Sequence, residues 1–198
     1  MTPGPWNSLE IAKMAVSLLT PVTVALLGIY INRALKRFEL AQWRSQKLVE
    51  KRLQIYDSIA PDLNDLLCYF TYRGAWRDFD PPQIVALKRK IDKSVNLAVP
   101  LFSEDFHQAC TEFLGLCFKT FTGWGKDAKL KTKYHRRRES RTDWRNEWAN
   151  CFANDDEAIE PSQIAASYKH VMAVFARDIG VNNALTPPAQ DSLPFNVG

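Results

Sequence analysis

The segment at residues 123–148 carries the densest group of side chains that could bind a partner. Nine Lys and Arg residues lie between positions 126 and 145, against three acids, for a local net charge of +6. The cations are Lys126, Lys129, Lys131, Lys133, Arg136, Arg137, Arg138, Arg141 and Arg145, and the aromatic residues beside them are Trp124, Tyr134, Trp144 and Trp148. Cations contact phosphates and aromatic rings stack on bases, so RNA is one predicted partner.

Three other interpretations of this basic segment remain open. It could be a solvated loop and helix start, or it could face a membrane surface. It could also contact an acidic patch on a neighbouring subunit. An acidic run follows directly along the chain, formed by Asp155, Asp156, Glu157 and Glu160. Pairing of this run with the basic segment of a neighbouring copy predicts a homo-oligomer larger than a dimer.

Catalytic and metal-binding patterns are not found in the sequence. His107 and Cys110 lie three residues apart on a predicted helix, with Cys117 two turns later, but no C-x2-C or H-x3-H pair accompanies them. We expect the four cysteines to be reduced and Cys110 and Cys117 to belong to the apolar core. The sequence therefore predicts no cofactor, no metal and no enzyme, with a cryptic nuclease or hydrolase as the lesser alternative.

A charge-free run at residues 14–31 predicts a transmembrane helix over residues 14–32. Its eighteen residues would extend about 27 Å as a helix, close to the thickness of a hydrocarbon core. A signal peptide is less favoured because the run ends at a poor cleavage site, and a core helix because Arg33 follows almost at once. Seven basic residues at 33–52 predict a single-pass signal anchor. Residues 1–13 then lie outside and the body in the cytoplasm.

Small and polar residues share one side of this predicted helix. They are Lys13, Ser17, Thr20, Pro21 and Gly28. Such residues are common in membrane helices, but they also let two helices approach closely. Self-association of the anchor and a water-filled pore lining are therefore both open interpretations.

Beyond the membrane, apolar residues at spacings of three and four predict that the helix continues as a basic stem over residues 33–60. The basic residues nearest the membrane are Arg33, Lys36, Arg37 and Arg44. We expect them to contact anionic lipid headgroups. Pro61 is expected to begin or kink the next segment.

Residues 61–180 are predicted to form a cytosolic helical bundle, which makes the fold class all-α. Asp80 before two prolines begins a helix that ends near residue 99, and Ser103 begins another that Gly123 ends. Further helices are expected over about 138–152 and over 161–179, the last ended by Gly180. No convincing strand pair is predicted, and residues 181–198 are expected to form a mobile tail.

This layout resembles small single-pass bacterial membrane effectors of anti-phage systems. It is most similar in kind to the membrane-pore accessory proteins of some RNA-targeting CRISPR systems. The resemblance rests on architecture over the whole chain. It implies homo-oligomerisation, association with a defence-system partner and permeabilisation of the inner membrane on infection, and it transfers no residue roles.

A small all-α domain in such a setting also suggests the HEPN ribonucleases. Their signature is an Arg, four to six variable residues and a His. The positions five to seven before each of the three histidines hold no Arg. A catalytically inactive bundle of that type stays open, and the membrane activity is the main functional expectation. A membrane-tethered module for RNA or a partner protein is the alternative.

Overall fold

The computed structural model describes residues 8–121 and 123–181, without the side chains of residues 8–12, 15, 16, 18 and 20. The helices are α1 Ser8–Thr71, α2 Pro81–Ala98, α3 Glu104–Cys117, α4 Tyr134–Glu139 and α5 Pro161–Ile179. The strands are β1 Phe118–Lys119 and β2 Lys129–Leu130. With 78% of residues helical and 3% in strands, the all-α prediction is confirmed. The predicted tail beyond residue 181 lies outside the described residues, as do residues 1–7.

Helix α1 continues through both Pro21 and Pro61. A helix start or break at Pro61 is therefore not observed. The buried face continues across Pro61 from Ile59 to Leu63, and this packing favours continuation of the helix past the proline. The chain divides into two compact units, residues 1–48 and 49–198. In the first unit, every described side chain is exposed. Among the described residues, no helix has both the length and the apolar character that a membrane crossing requires.

The core of the second unit is formed by the last part of α1 together with α2, α3 and α5. Phe175 of α5 packs on Phe106 of α3 with ring centroids 4.4 Å apart, and Phe102 lies 5.2 Å away. Arg52 of α1 donates from Nε to the carbonyl of Leu101 at 2.6 Å and from Nη1 to the carbonyl of Asp178. These hydrogen bonds join α1 to the segments before α3 and at the end of α5.

The predicted boundaries of α2, α5 and the start of α3 are confirmed. The amide of Asp80 donates to Gln83 Oε1 at 2.8 Å, and Ser103 Oγ accepts from the amide of Phe106 at 3.3 Å. Both contacts satisfy polar groups at a helix start. Gly180 ends α5 at φ 91°, a left-handed conformation that glycine adopts without strain.

A short β-hairpin corrects two predictions about residues 104–130. Helix α3 ends at Cys117 rather than at Gly123, and Phe118 and Lys119 pair antiparallel with Leu130 and Lys129. The prediction that the chain has no strand pair is therefore wrong. Phe118 leaves the helix because, on β1, its buried ring contacts Phe70 edge-on at 5.4 Å between centroids.

The predicted helix over 138–152 is also wrong. Helix α4 ends at Glu139, and a 3-10 helix follows only at Asn146–Cys151. Arg141 forms a two-pronged ion pair with Asp143, at 2.9 and 2.7 Å. Residues two apart do not face each other on a helix, so this pair favours the irregular backbone.

Truncation of one buried and one exposed leucine tests the packing of the core. Leu66 of α1 is 0% exposed and Leu97 of α2 is 70% exposed. Leu66→Ala should lower the free energy of unfolding by about 2–5 kcal/mol, because it removes buried methyl groups and leaves a cavity. Leu97→Ala is the matched control and should change it by less than about 0.5 kcal/mol. Denaturant unfolding of the two variants measures the difference, and equal effects would contradict this core.

Candidate functional site

The loop between β1 and β2 exposes two aromatic side chains. Phe121 is 72% exposed and Trp124 is 96% exposed. Trp124 lies between Gly123 at φ 136° and Gly125 at φ 71°, which are conformations that favour glycine. These glycines allow the tight turn that carries the indole. Nothing in the described fold covers the ring, so it is available to a partner.

Two hollows lie beside this loop and share Lys126 and Lys129 in their linings. The first has a volume of about 400 Å³ and is also lined by Val85, Arg89 and Cys151. The second has a volume of about 380 Å³ and is also lined by residues of the hairpin and of the acidic segment: Lys119, Phe121 and Glu157. We call the surface formed by Arg89, Lys119, Phe121, Trp124, Lys126 and Lys129 the hairpin surface.

The electrostatics of the hairpin surface are positive. Arg89 lies 3.6 Å from Asp127, and Lys119 lies 2.9 Å from Glu157. The hydrogen bond from Lys119 is the main cause that holds the pKa of Glu157 below its ordinary value. Within the described part of the chain, no carboxylate forms an ion pair with Lys126 or Lys129. These two cations therefore remain available to a negatively charged ligand.

The Cys151 thiol, which lines the first hollow, is not activated. Burial raises its pKa, Asp127 raises it further, and Lys129 opposes them. The thiol is thus protonated at neutral pH and is a poor nucleophile. Burial likewise raises the pKa of Cys110 to about 12. Residues 8–121 and 123–181 contain no group of three or more His, Cys, Asp or Glu side chains suited to a metal ion.

Arg137, one of the nine predicted partner-binding cations, is buried instead of exposed. It is 2% exposed, and its guanidinium carbon lies 3.9 Å from the ring centroid of Tyr69, 4.0 Å from Tyr72 and 5.0 Å from Trp76. Its Nη2 donates to the carbonyl of Tyr69 at the end of α1. Arg137 is therefore part of the core and cannot contact a macromolecule in the folded state.

Three further cations of the basic segment have partners within the chain. Arg141 donates to Asp80 at 2.8 Å, to Asp143 at 2.7 Å and to the carbonyl of Phe79 at 3.0 Å. Lys131 donates to the carbonyl of Gly115 at 3.1 Å. Arg145 is exposed and lies 3.9 Å from Glu147. Of the remaining cations, Lys126, Lys133, Arg136 and Arg138 are exposed, and Lys129 is half-buried.

Most aromatic residues of the segment belong to the core. The rings of Tyr134, Trp144 and Trp148 pack edge-on. The ring centroid of Trp144 lies 5.6 Å from that of Tyr134 and 5.3 Å from that of Trp148. Phe152 adds a contact 5.4 Å from Tyr134. These three rings are therefore not a stacking platform, and only Trp124 of the predicted set is fully available. Sequence reasoning missed Phe121 as a surface residue because it continues the apolar spacing of α3.

The acidic run after the basic segment also has partners inside the chain. Asp155 pairs with Nε2 of His135 and accepts from the amide of Tyr134 at 3.1 Å. Glu157 pairs with Lys119. The pairing of this run with a neighbouring subunit stays a prediction, but two of its acids already have partners in one chain.

The predicted anchor and stem residues lie on α1 in the first unit. The exposed set is Lys13, Ser17, Pro21, Gly28, Arg33, Lys36, Arg37 and Arg44. Ser17 Oγ donates to the carbonyl of Met14 at 2.9 Å, within its own helix. A side chain added at Gly28 would meet no atom within 4 Å. The side chain of Thr20 lies outside the described residues.

Charge reversal at Arg137 and at its neighbour Arg138 distinguishes a buried, structural arginine from an exposed one. Arg137→Glu should lower the free energy of unfolding by about 3–5 kcal/mol or prevent folding, because it buries an unpaired carboxylate against aromatic faces. Arg138→Glu makes the same change of charge at an exposed position and should lower the free energy of unfolding by less than about 0.5 kcal/mol. Thermal unfolding followed by circular dichroism measures both. A stable Arg137→Glu protein would contradict the burial of this guanidinium.

No family model matches this chain, and comparison with curated proteins and with solved structures finds none that is similar. The chemistry of its own residues is therefore the basis for a function. That chemistry is a positive, partly aromatic surface around the β-hairpin, and it is clearest at Lys126, Lys129 and Trp124.

Proposed function

We propose that this chain is a membrane-anchored, non-enzymatic binding module whose hairpin surface binds single-stranded RNA. The observation that carries the proposal is the position of Lys126 and Lys129, which line two adjoining hollows and form no ion pair with described carboxylates, next to the uncovered ring of Trp124. Cations that follow a sugar–phosphate backbone, together with rings that stack on bases, are the usual means of binding single strands.

The two hollows suit successive nucleotides of a strand. Volumes near 400 and 380 Å³ lie within the range of sites for small organic ligands. Phosphates would contact Lys126 and Lys129 between the hollows, while bases would stack on Phe121 and Trp124. A single-stranded ligand is favoured over a duplex because its bases are free to stack on these rings. The protonated Cys151 thiol in the first hollow supports binding without catalysis.

The membrane anchor is supported by the charge-free run at residues 14–31. Its described apolar side chains are exposed, among them Leu19, Val24, Leu26 and Ile29. An exposed apolar helix surface of this kind requires a cover, and lipid is a suitable one. The side chains of Ala15, Val16, Leu18 and Thr20, also in this run, lie outside those described. The following basic residues favour contact with lipid headgroups and a cytoplasmic body in a bacterial inner membrane.

A second candidate function is the homo-oligomeric effector that disturbs the inner membrane, as the resemblance to anti-phage membrane proteins implies. The open surface at Gly28 and the exposed Ser17, about three turns earlier on the same helix, favour close packing of anchors. The internal pairing of Asp155 and Glu157 weakens the case for a ring held by basic and acidic segments. We therefore place this function second.

Two arginines introduced into the charge-free run test whether it anchors the chain in a membrane. The double variant Val22→Arg and Leu26→Arg should leave the membrane fraction on carbonate extraction. Each arginine near a helix centre costs roughly 2.5–3.5 kcal/mol on insertion. The unaltered chain should stay in the pellet.

The control is the double variant Leu48→Arg and Leu53→Arg, which adds the same charge to exposed positions of α1 beyond the run. It should remain in the pellet. Extraction of the unaltered chain, or retention of the Val22/Leu26 variant, would overturn the anchor.

Charge reversal of the two lysines tests RNA binding. Full-length protein in neutral detergent should bind labelled oligouridylate, with an affinity that falls as salt rises. Lys126→Glu with Lys129→Glu should weaken binding more than tenfold. It should also reduce the slope of log affinity against log salt by about 1.4, the value for two lost contacts to a single strand. Fluorescence anisotropy at several salt concentrations measures both quantities.

The matched control reverses Lys93 on α2 and Lys169 on α5, both exposed and both outside the hairpin surface. It changes the net charge equally and should leave the salt slope nearly unchanged. Trp124→Ala should weaken binding without altering the slope, since it removes stacking alone. Equal losses in the two double variants would refute a localised site.

A further inference from the structure

A small cavity lies beside the buried guanidinium of Arg137. Its lining comes from the end of α1, the segment before α2, the start of α2, helix α4 and the irregular segment after it. The lining residues are Tyr69, Trp76, Phe79, Pro81, Arg137, Arg141 and Trp144. The volume is about 10 Å³, against about 400 and 380 Å³ for the two hollows, and none of these residues belongs to the hairpin surface. The cavity is therefore a separate feature of the second unit.

Unpaired hydrogen-bond donors line this cavity. Four buried side-chain atoms of the lining residues have no hydrogen-bond partner among the described residues: Arg137 Nε and Nη1, Trp144 Nε1 and the Tyr69 hydroxyl. The three nitrogens can only donate, and the hydroxyl can donate as well. A buried donor without an acceptor costs free energy, and the cost is larger when the group is charged. These four atoms thus lack an acceptor.

The charge of Arg137 is also uncompensated. Among the described residues, no carboxylate forms an ion pair with Arg137, and the nearby Asp80 and Asp143 are both bound by Arg141. The faces of Tyr69 and Tyr72 stabilise the cation in part. Burial lowers the pKa of Arg137, as expected for a cation away from water. A negative ligand would balance this charge.

We propose that this cavity binds one small monovalent anion of the chloride type. A water molecule accepts about two hydrogen bonds, so it leaves donors of the lining unpaired, whereas a chloride ion accepts several. A volume of about 10 Å³ is room for a single particle about the size of a water molecule. This size excludes phosphate esters and nucleotides, so the site differs in ligand from the proposed RNA surface.

The test is thermal unfolding of the full chain in neutral detergent, in gluconate buffers of constant ionic strength with increasing chloride. An anion that binds only the folded state raises the Tm along a one-site saturation curve. Trp144→Phe and Tyr69→Phe each remove one donor and keep a ring, and each should raise the chloride Kd about tenfold. Trp148→Phe is the matched control, because this buried tryptophan does not line the cavity.

Line broadening of chloride-35 NMR on the folded protein gives a second readout that does not depend on the stability of a variant. Broadening that is reduced in Tyr69→Phe and kept in Trp148→Phe supports the site. A Tm and a linewidth indifferent to chloride would overturn the proposal in favour of bound water. Equal chloride responses in Trp144→Phe, Tyr69→Phe and Trp148→Phe would also overturn it.

Discussion

The second unit depends on one buried cation, the guanidinium of Arg137 against the aromatic end of α1. Tyr72 shows how strongly this contact constrains the chain, because it is the one described residue other than glycine with a positive φ, at 57°. That conformation costs a non-glycine residue about 1–2 kcal/mol. It places the Tyr72 ring over Arg137, 5.4 Å from Trp76, and its hydroxyl 3.1 Å from Thr132 Oγ1. A glycine would relieve the strain but would lose every one of these contacts.

The basic segment consequently has two roles that its composition does not separate. Arg137 and Arg141 hold the end of α1, the start of α2 and the segment after α4 together. Lys126 and Lys129 precede α4 and face the hollows beside the hairpin. A variant that changes several cations of this segment at once therefore mixes unfolding with loss of binding. Single and paired substitutions at the hairpin separate the two effects.

The sequence predicts what is decided locally and misses what is decided by distant contacts. Asp80, Ser103 and Gly180 mark helix ends because caps and glycine act on the adjacent backbone. Arg137 and Arg138 are identical residues in consecutive positions, and contacts with Tyr69, 68 residues away, and with Tyr72 and Trp76 decide which one is buried. The two-residue strands carry no alternation to detect. The hairpin surface was therefore predicted only in part, through Trp124, Lys126 and Lys129.

The hairpin is fixed at its base, and this favours a binding role for its loop. Leu130 of β2 is fully buried, and the amide of Ala153 donates to its carbonyl at 2.9 Å. The amide of Lys131 donates to the carbonyl of Cys117 at 2.9 Å, which holds β2 against the end of α3. The backbone that carries Lys129 is therefore ordered before any ligand binds. A strand held in this way loses little conformational entropy on binding, so each phosphate contact contributes more to affinity than it would from an unstructured basic loop.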